Sequence, residues 1–390
     1  MLIFLEGDQI TASSWVLFAK RKLLDLKAGM ARMGRQVAMK RFKVDNDTDI
    51  SIKSVLGLDE IRIKVEAGLG GLFIADTGGQ YEYHADLDHY RYGLKAFNKS
   101  LGLKTWYDRT GMSPSRGVAI PQGVSYYKKK VYTVDSIGYL DVWGEGGGYD
   151  SEIELWDKVN PVGGKSQNYV HVRGDKIFVS ANYNGNFYRV YEFDLDYNYI
   201  KEYPGPYGFA SYGSTAIAAD IQNNRLYIGN TGIYVGEHYE ILVHEIDTGT
   251  YLGSEPSYGG EDIICGGLFI FQGILYSTDT MNRRIIRHQL SDDTLLDPID
   301  CNPFLPSWIP LRAIAVDDTG IYITAAKLTP GPTELEVFVK KLSLDGTQEL
   351  RTGGVFMGPY SGGTIYGTDP PLAMRFNHPN WMDIKNSENK

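Results

Sequence analysis

The sequence predicts an all-β fold, a β-propeller, on three observations. A short phrase recurs seven times, at residues 71–77, 130–136, 176–182, 225–231, 274–280, 320–326 and 364–369. Each copy places Phe or Tyr after an apolar residue and closes on small or polar residues; the anchors are Phe73, Tyr132, Phe178, Tyr227, Tyr276, Tyr322 and Tyr366. Their separations of 59, 46, 49, 49, 46 and 44 residues match one four-strand unit per anchor, the spacing of a radial β repeat. The 28 Tyr and 45 Gly suit half-buried strands joined by many tight turns.

The chain opens differently. Thr11 to Ser14 offer helix caps, and Trp15, Ala19, Leu23, Leu26 and Met30 follow at spacings of 4, 4, 3 and 4, one apolar stripe on an N-terminal amphipathic helix. A lone helix cannot bury such a stripe unaided, so it docks on this chain's own sheets or on a neighbouring subunit. Residues 37–44, 49–55 and 60–66 then alternate apolar with polar, as half-buried strands do.

From Phe73 onward a four-strand unit repeats. First strands are expected at 117–120, 169–172, 215–218, 262–265 and 312–316, and each anchor marks a second strand. Third strands are expected at 95–97, 139–143, 188–193, 240–246, 284–290 and 335–342, and frayed fourth strands at stretches such as 199–203 and 348–351. Small residues in the first strands fit a crowded axis, and polar fourth strands fit a rim. After Tyr366 too little chain remains for a full unit. A seven-bladed ring closed by an N-terminal strand, 37–44 or 49–55, is the expected architecture, because an open edge would template association; six blades with a C-terminal strap is the alternative. The division is a basic arm over residues 1–58 and a propeller over 59–390.

Charge is split along the chain. Residues 11–43 hold nine Lys and Arg against Asp25, a net of +8, which leaves −17 on the remainder of a chain whose total is −9. A basic arm on an acidic body suggests an assembly contact, made through Trp15, Phe18, Lys20, Arg21, Lys22, Leu23 and Leu26. Aromatic and basic residues are not interleaved at base-reading spacing, which argues against nucleic acid. Glu6 and Asp8 interrupt the apolar start too early for a secretory signal, and no stretch approaches the length of a membrane span, so synthesis in the cytoplasm is expected. Cys265 and Cys301 are too few for a disulfide framework; two buried thiols or a single bridge both fit.

Candidate chemistry falls in four places. His84, Asp86 and Asp88, with His89 beside them, form a metal-ligand candidate or simply a polar hairpin tip. Arg283, Arg284 and Arg287 near Asp279 suit carboxylate recognition or bonds within a blade. Eight Tyr crowd residues 183–212, among them Tyr197, Tyr199, Tyr203 and Tyr207; Tyr between small residues serves recognition surfaces as well as strand packing. Asp76, Asp135, Asn182, Asn230, Asp279 and Asp369 follow the anchored strands at equivalent places, where they would ligate Ca²⁺ or cap turns. No phosphate loop, nucleophile elbow or Cys/His cluster is present, so no cofactor is expected.

The phrase at 274–286, Ile-Leu-Tyr-Ser-Thr-Asp-Thr-Met-Asn-Arg-Arg-Ile-Ile, resembles the repeat of NHL-type propellers; the other copies keep the anchor and lose the Asn-x-Arg. That resemblance implies a propeller over roughly residues 60–370 without choosing between enzyme and scaffold. The stretch 14–23, Ser-Trp-Val-Leu-Phe-Ala-Lys-Arg-Lys-Leu, resembles the start of bacteriophage tail-associated proteins. Two functions follow as expectations. One is a non-enzymatic structural and binding propeller of a virus tail or tail tip, partnered by other structural proteins of the assembly and by a host-surface glycan or protein. The other is a propeller enzyme, a hydrolase, lactonase or lyase, with a divalent metal at its channel mouth.

Overall fold

The computed structural model describes residues 49–52, 61–64, 71–76, 83–84, 89–99, 101, 103–108, 121–135, 138–155, 158, 167–183, 187–203, 209–210, 216–229, 241–255, 265–280, 282–305, 311–328, 335–356 and 379–386. The chain forms two compact units, Met1–Gly68 and Leu69–Lys390. In the first, β1 (Asp49–Ile52) pairs antiparallel with β2 (Ile61–Lys64), Ile50 opposite Ile63. The amphipathic helix expected from Trp15 to Met30 lies outside the described residues, as do strand 37–44 and the anchor Tyr366.

The second unit is a six-bladed β-propeller. Blade 1 contains β3 (Leu72–Asp76), β5 (His89–Phe97) and β6 (Leu103–Asp108), with β4 (Tyr83–His84) turned back onto β5. Blade 2 is β7 (Pro121–Tyr127), β8 (Lys130–Asp135), β9 (Tyr139–Gly144) and β10 (Tyr149–Glu154). Blade 3 is β11 (Gln167–Arg173), β12 (Lys176–Tyr183), β13 (Phe187–Asp194) and β14 (Tyr199–Tyr203), with β15 (Phe209–Ala210) added to β13. Blade 4 is β16 (Ile217–Asp220), β17 (Arg225–Gly229), β18 (Ile241–Glu245) and β19 (Tyr251–Glu255). Blade 5 is β20 (Cys265–Phe271), β21 (Ile274–Asp279), β22 (Arg284–Gln289) and β23 (Thr294–Asp300). Blade 6 is β24 (Leu311–Asp317), β25 (Gly320–Leu328), β26 (Leu335–Leu342) and β27 (Glu349–Phe356). The last strand, β28 (Pro379–Ile384), returns to blade 1 and pairs with β3 as its innermost strand.

This corrects the expected closure in both number and direction. The inner strands meet in one closed order, β28 to β7, β11, β16, β20, β24 and back to β28, so six blades complete the ring and a seventh has no place in it. The strand shared between the chain's ends comes from the C-terminus. Of the two N-terminal candidates, 49–55 supplies β1, which pairs with β2. The first strand of blade 2 is β7 rather than residues 117–120, which lie outside the described residues, and that of blade 5 begins at Cys265 rather than ending there.

The anchors hold this ring together. Phe73, Tyr132, Phe178, Tyr227, Tyr276 and Tyr322 are at most 5% exposed. Phe73 of blade 1 stacks on Tyr126 of blade 2 with centroids 5.1 Å apart and rings 5° from parallel. Burying a side chain of this kind contributes roughly 1.5–3 kcal/mol, repeated six times around the ring. The inner hairpins are tight: Lys128–Lys129, Gly174–Asp175 and Gln272–Gly273 all have positive φ, the two-residue turn whose twist matches the flanking strands.

Candidate functional site

The register places one residue of every inner strand directly opposite an anchor. These are Asp383 opposite Phe73, Ser125 opposite Tyr132, His171 opposite Phe178, Ala218 opposite Tyr227, Phe269 opposite Tyr276 and Ala315 opposite Tyr322. Blades 1, 2 and 3 carry polar residues at this position, and blades 4, 5 and 6 carry apolar ones. An inner strand has no ladder partner on its axial side, so its amides there need other acceptors. The three polar residues supply them in one rotational sense. Asp383 Oδ2 accepts the amide of Tyr126 at 2.7 Å, Ser125 Oγ accepts that of Val172 at 3.0 Å, and His171 Nε2 accepts that of Ala219 at 3.2 Å. Each bond joins the residue opposite an anchor to the residue after its counterpart in the next blade.

Ala315 of blade 6 has no acceptor to continue the series. The amide it would have served, that of Ile384, is accepted at 2.7 Å by Asp383 Oδ1 on the same strand. Ser125 Oγ also donates to Asp383 Oδ2 at 3.0 Å. One carboxylate therefore takes three donors. Burial still pushes the Asp383 carboxyl above the usual range, outweighing the nearby Arg173 and these hydrogen bonds. Burial, reinforced by Arg173, holds His171 well below its ordinary value, which keeps it the neutral acceptor that the Ala219 amide requires. Burial likewise pushes the Tyr169 hydroxyl up.

A second polar cluster ties blade 3 to blade 4. Glu192 on β13 is fully buried and paired with Lys176, and it accepts the hydroxyl of Tyr203. That hydroxyl also donates to the carbonyl of Ile246 in blade 4 at 3.0 Å. Tyr107 of blade 1 repeats the device by donating to Glu145 O of blade 2 at 3.1 Å. Outer-strand tyrosines thus pin the third-to-fourth-strand turn of the following blade.

The residues singled out in the sequence are dispersed. Tyr203 is in the core, Tyr197 is half-buried, Tyr199 is 41% exposed, and Tyr207 lies outside the described residues. Arg284 donates through Nε to Asp279 at 2.9 Å, and Arg287 donates to the carbonyl of Asp297 at 2.7 and 3.1 Å. Arg283 occupies the turn before β22 at φ 52°. Asp279 also accepts the amide of Asn282, and Asp135 accepts that of Tyr139 at 2.9 Å, so both carboxylates close the turn after their own strand. Asp76 and Asn182 lie in β3 and β12; Asn230 and Asp369 lie outside the described residues. His84 pairs with His89 across the β4–β5 hairpin, whose tip, with Asp86 and Asp88, lies outside the described residues. The same holds for the arm residues Trp15, Phe18, Lys20, Arg21, Lys22, Leu23 and Leu26. Among the described residues no group of three or more His, Cys, Asp or Glu is placed to hold a metal ion. Cys265 and Cys301 are buried free thiols in separate packing clusters, at the axis and at the far end of the outermost strand of blade 5. Among the described residues no helix is long and apolar enough to cross a membrane.

Asp383, His171 and Arg173 did not emerge from the sequence as site residues. The usable signal was the position before or within the "apolar-x-apolar" first strands: Ser125, His171 and Asp383 interrupt runs that are otherwise small or apolar.

No protein-family model matches the chain, and no curated protein matches it. The crystal structure of a nidogen/laminin complex contains a chain similar in fold, 14% identical, with a TM-score of 0.50, covering 82% of this chain and 99% of that one. BamB from Moraxella catarrhalis aligns at 12% identity and a TM-score of 0.39 over 78% of this chain and 88% of that one. A protein of unknown function from Bacteroides caccae aligns at 12% identity and 0.47 over 72% and 92%. The likeness to the nidogen/laminin chain is one of fold. The blade topology and the closed order of inner strands define a six-bladed β-propeller.

Proposed function

We propose that this chain is a non-enzymatic structural and binding propeller, a component of a bacteriophage tail or tail tip. It docks on neighbouring structural proteins through its basic arm, residues 1–58, and presents propeller loops to a host-surface glycan or protein. One observation carries the scaffold reading. Seven polar side chains at the axis and at the strand ends are engaged within the fold: Asp383, Ser125 and His171 on neighbouring inner strands, Asp135 and Asp279 on their own turns, and Arg284 and Arg287 on their own blade. Groups so engaged rigidify a platform and leave recognition to the arm and the loops. The tail assignment is supported by the phrase at 14–23 and by the +8 arm on a −17 remainder. NHL-type repeat chemistry is supported by the 274–286 phrase, whose Asp279, Asn282 and Arg284 form one bonded turn.

The test compares particles assembled with the full-length chain and with a variant lacking residues 1–35. Full-length protein is expected in purified particles, and the shortened chain is expected to fold and remain unincorporated. Equal incorporation of the two overturns the docking role, and absence of the full-length chain from particles overturns the tail assignment. A stoichiometric divalent metal whose removal abolishes a measured turnover overturns the non-enzymatic reading.

A further inference from the structure

Five of the six blades carry a β-bulge at the same place in the outermost strand, beside the turn from the third strand. The residue left out of the ladder is Lys104, Asp150, Ile200, Leu252 or Leu350. A bulge re-aims a side chain. In blades 3, 4 and 6 that side chain is aliphatic, and Ile200, Leu252 and Leu350 are 43%, 52% and 43% exposed, the most exposed large hydrophobics among the described residues. Blades 3 and 4 also expose the preceding tyrosines, Tyr199 and Tyr251. These two Tyr–aliphatic pairs are neighbours. Lys201 donates to the carbonyls of Ile246 and Asp247, and a Cβ on Gly249 would lie 3.5 Å from Glu202 O. The outer strand of blade 3 therefore rests on the turn that opens the outer strand of blade 4. The setting is acidic. Asp196 and Asp247 are exposed in the two turns, whereas the nearby bases Arg189 and Lys201 are already bonded to Glu202 and to those carbonyls. An apolar surface framed by acids fits an amphipathic partner whose polar face is basic.

The chain itself carries such a partner. In residues 15–30 the sequence puts Trp15, Leu23 and Leu26 on one apolar stripe and Lys20, Arg21 and Lys27 off it, within a segment of net charge +8 against −17 on the remainder. A helix over those sixteen residues is about 24 Å long, and packed sheets lie about 10 Å apart, so one helix reaches both blade rims. We propose that the rim of blades 3 and 4 is the docking site for residues 15–30 of a neighbouring copy of this chain. Each copy then offers both halves of the contact, a head-to-tail link that closes into a ring or continues as a filament. The proposal rests on the docking role given above to the arm, and names its receptor; it does not rest on the tail assignment.

The test uses the full-length protein with a photo-crosslinking benzoylphenylalanine in place of Leu252. Unlabelled and heavy-isotope chains are mixed at low concentration, concentrated together and irradiated. Crosslinks to residues 15–30 that join labelled to unlabelled chains are expected. Crosslinks to other segments, or none between labelled and unlabelled chains, overturn the proposal. In sedimentation velocity the wild type is expected to associate as its concentration rises. The double variant Ile200→Ser/Leu252→Ser is expected to associate at least about tenfold more weakly, since two aliphatic contacts are lost. Leu350→Ser, at the same bulge of blade 6, is the control and is expected to associate as the wild type does. A wild type that stays monomeric, or equal weakening in the double variant and the control, overturns the site. The arm's wider role is read separately. If the rim crosslinks fail while the variant lacking residues 1–35 is still excluded from particles, the arm docks elsewhere and this proposal alone falls.

Discussion

The carboxylate of Asp383 accepts the main-chain amide of Tyr126 at 2.7 Å, and that bond fastens the final strand of the chain to its second blade. The strand is also held by the β-ladder to β3, where its register partner Phe73 stacks on the same Tyr126. Hydrogen bond and ring stack meet at one residue, so closing the ring in sequence and sealing blade 1 against blade 2 are a single event. Asp383→Ala removes the carboxylate that accepts two buried amides, those of Tyr126 and Ile384. At about 1–3 kcal/mol for each buried group left unsatisfied, a loss of roughly 2–5 kcal/mol is expected in urea unfolding. Ser125→Ala orphans the amide of Val172 alone and is expected to cost about 1–3 kcal/mol. A change under about 0.5 kcal/mol in Asp383→Ala would show that the bond does not fasten the ring.

The same carboxylate sets a pH dependence with a definite sign. Its pKa in the folded protein is raised, chiefly by burial, above an unfolded value near 4. The folded state therefore holds the proton more tightly than the unfolded state. The resulting stabilisation is fully present below about pH 4 and is lost as pH rises through the raised folded value. Asp383→Asn removes this titration while keeping one acceptor. The stability of the wild type relative to Asp383→Asn is expected to fall as pH rises from about 4 through the raised folded value and to level off above it, followed by denaturant midpoints across the acid range. A difference that grows with pH would mean that the three donors outweigh burial.

Much of this architecture was legible because the anchors are local. Phe73, Tyr132, Phe178, Tyr227, Tyr276 and Tyr322 sit in strands whose period and turn chemistry repeat, and each is buried as that pattern requires. The fourth strand at Tyr199–Tyr203 and the hairpin near His84 were legible for the same reason. Closure was not, because it depends on pairing between Ile384 and Leu72, residues more than three hundred positions apart, in a strand that carries an acidic residue, Asp383, next to its end. The axial acceptors escaped for a related reason. Ser125, His171 and Asp383 are related only through the register of two hairpins and of the long-range β28–β3 ladder, and a polar residue in an apolar strand reads locally as a flaw. Tyr203 shows the converse. Its tyrosine-rich surroundings read as a surface, whereas Glu192, eleven residues earlier, draws its hydroxyl into the core.

Cys265 and Cys301 differ in place and agree in chemistry. Burial pushes both thiols up to about 12. The reactive species is the thiolate, and an unperturbed thiol titrates near 8.5. Modification by a disulfide reagent at pH 8 is expected to be roughly a thousandfold slower in the folded protein than in denaturant. Reductant is expected to leave the thermal midpoint unchanged, since neither thiol is in a disulfide. Rapid reaction of one thiol in the native state would place that cysteine outside the core.

Gly123 marks a close approach of two inner strands. A Cβ there would lie 2.8 Å from both Tyr169 Cα and Val170 N, main-chain atoms of blade 3. Neither atom can swing aside as the tip of a side chain would, so Gly123→Ala must push β7 away from β11. That displacement also lengthens the Ser125–Val172 bond two residues along, which couples a packing defect to the axial series. A loss of about 1–3 kcal/mol is expected from overpacking. Gly148→Ala is the control: a Cβ at Gly148 meets nothing within 4 Å, and a change within about 0.5 kcal/mol is expected. Combining Gly123→Ala with Ser125→Ala is expected to cost less than the two single changes added together, because residues sharing one strand contact are not independent. Strict additivity would separate the close approach at Gly123 from the hydrogen bond at Ser125 and leave the axial series as isolated contacts.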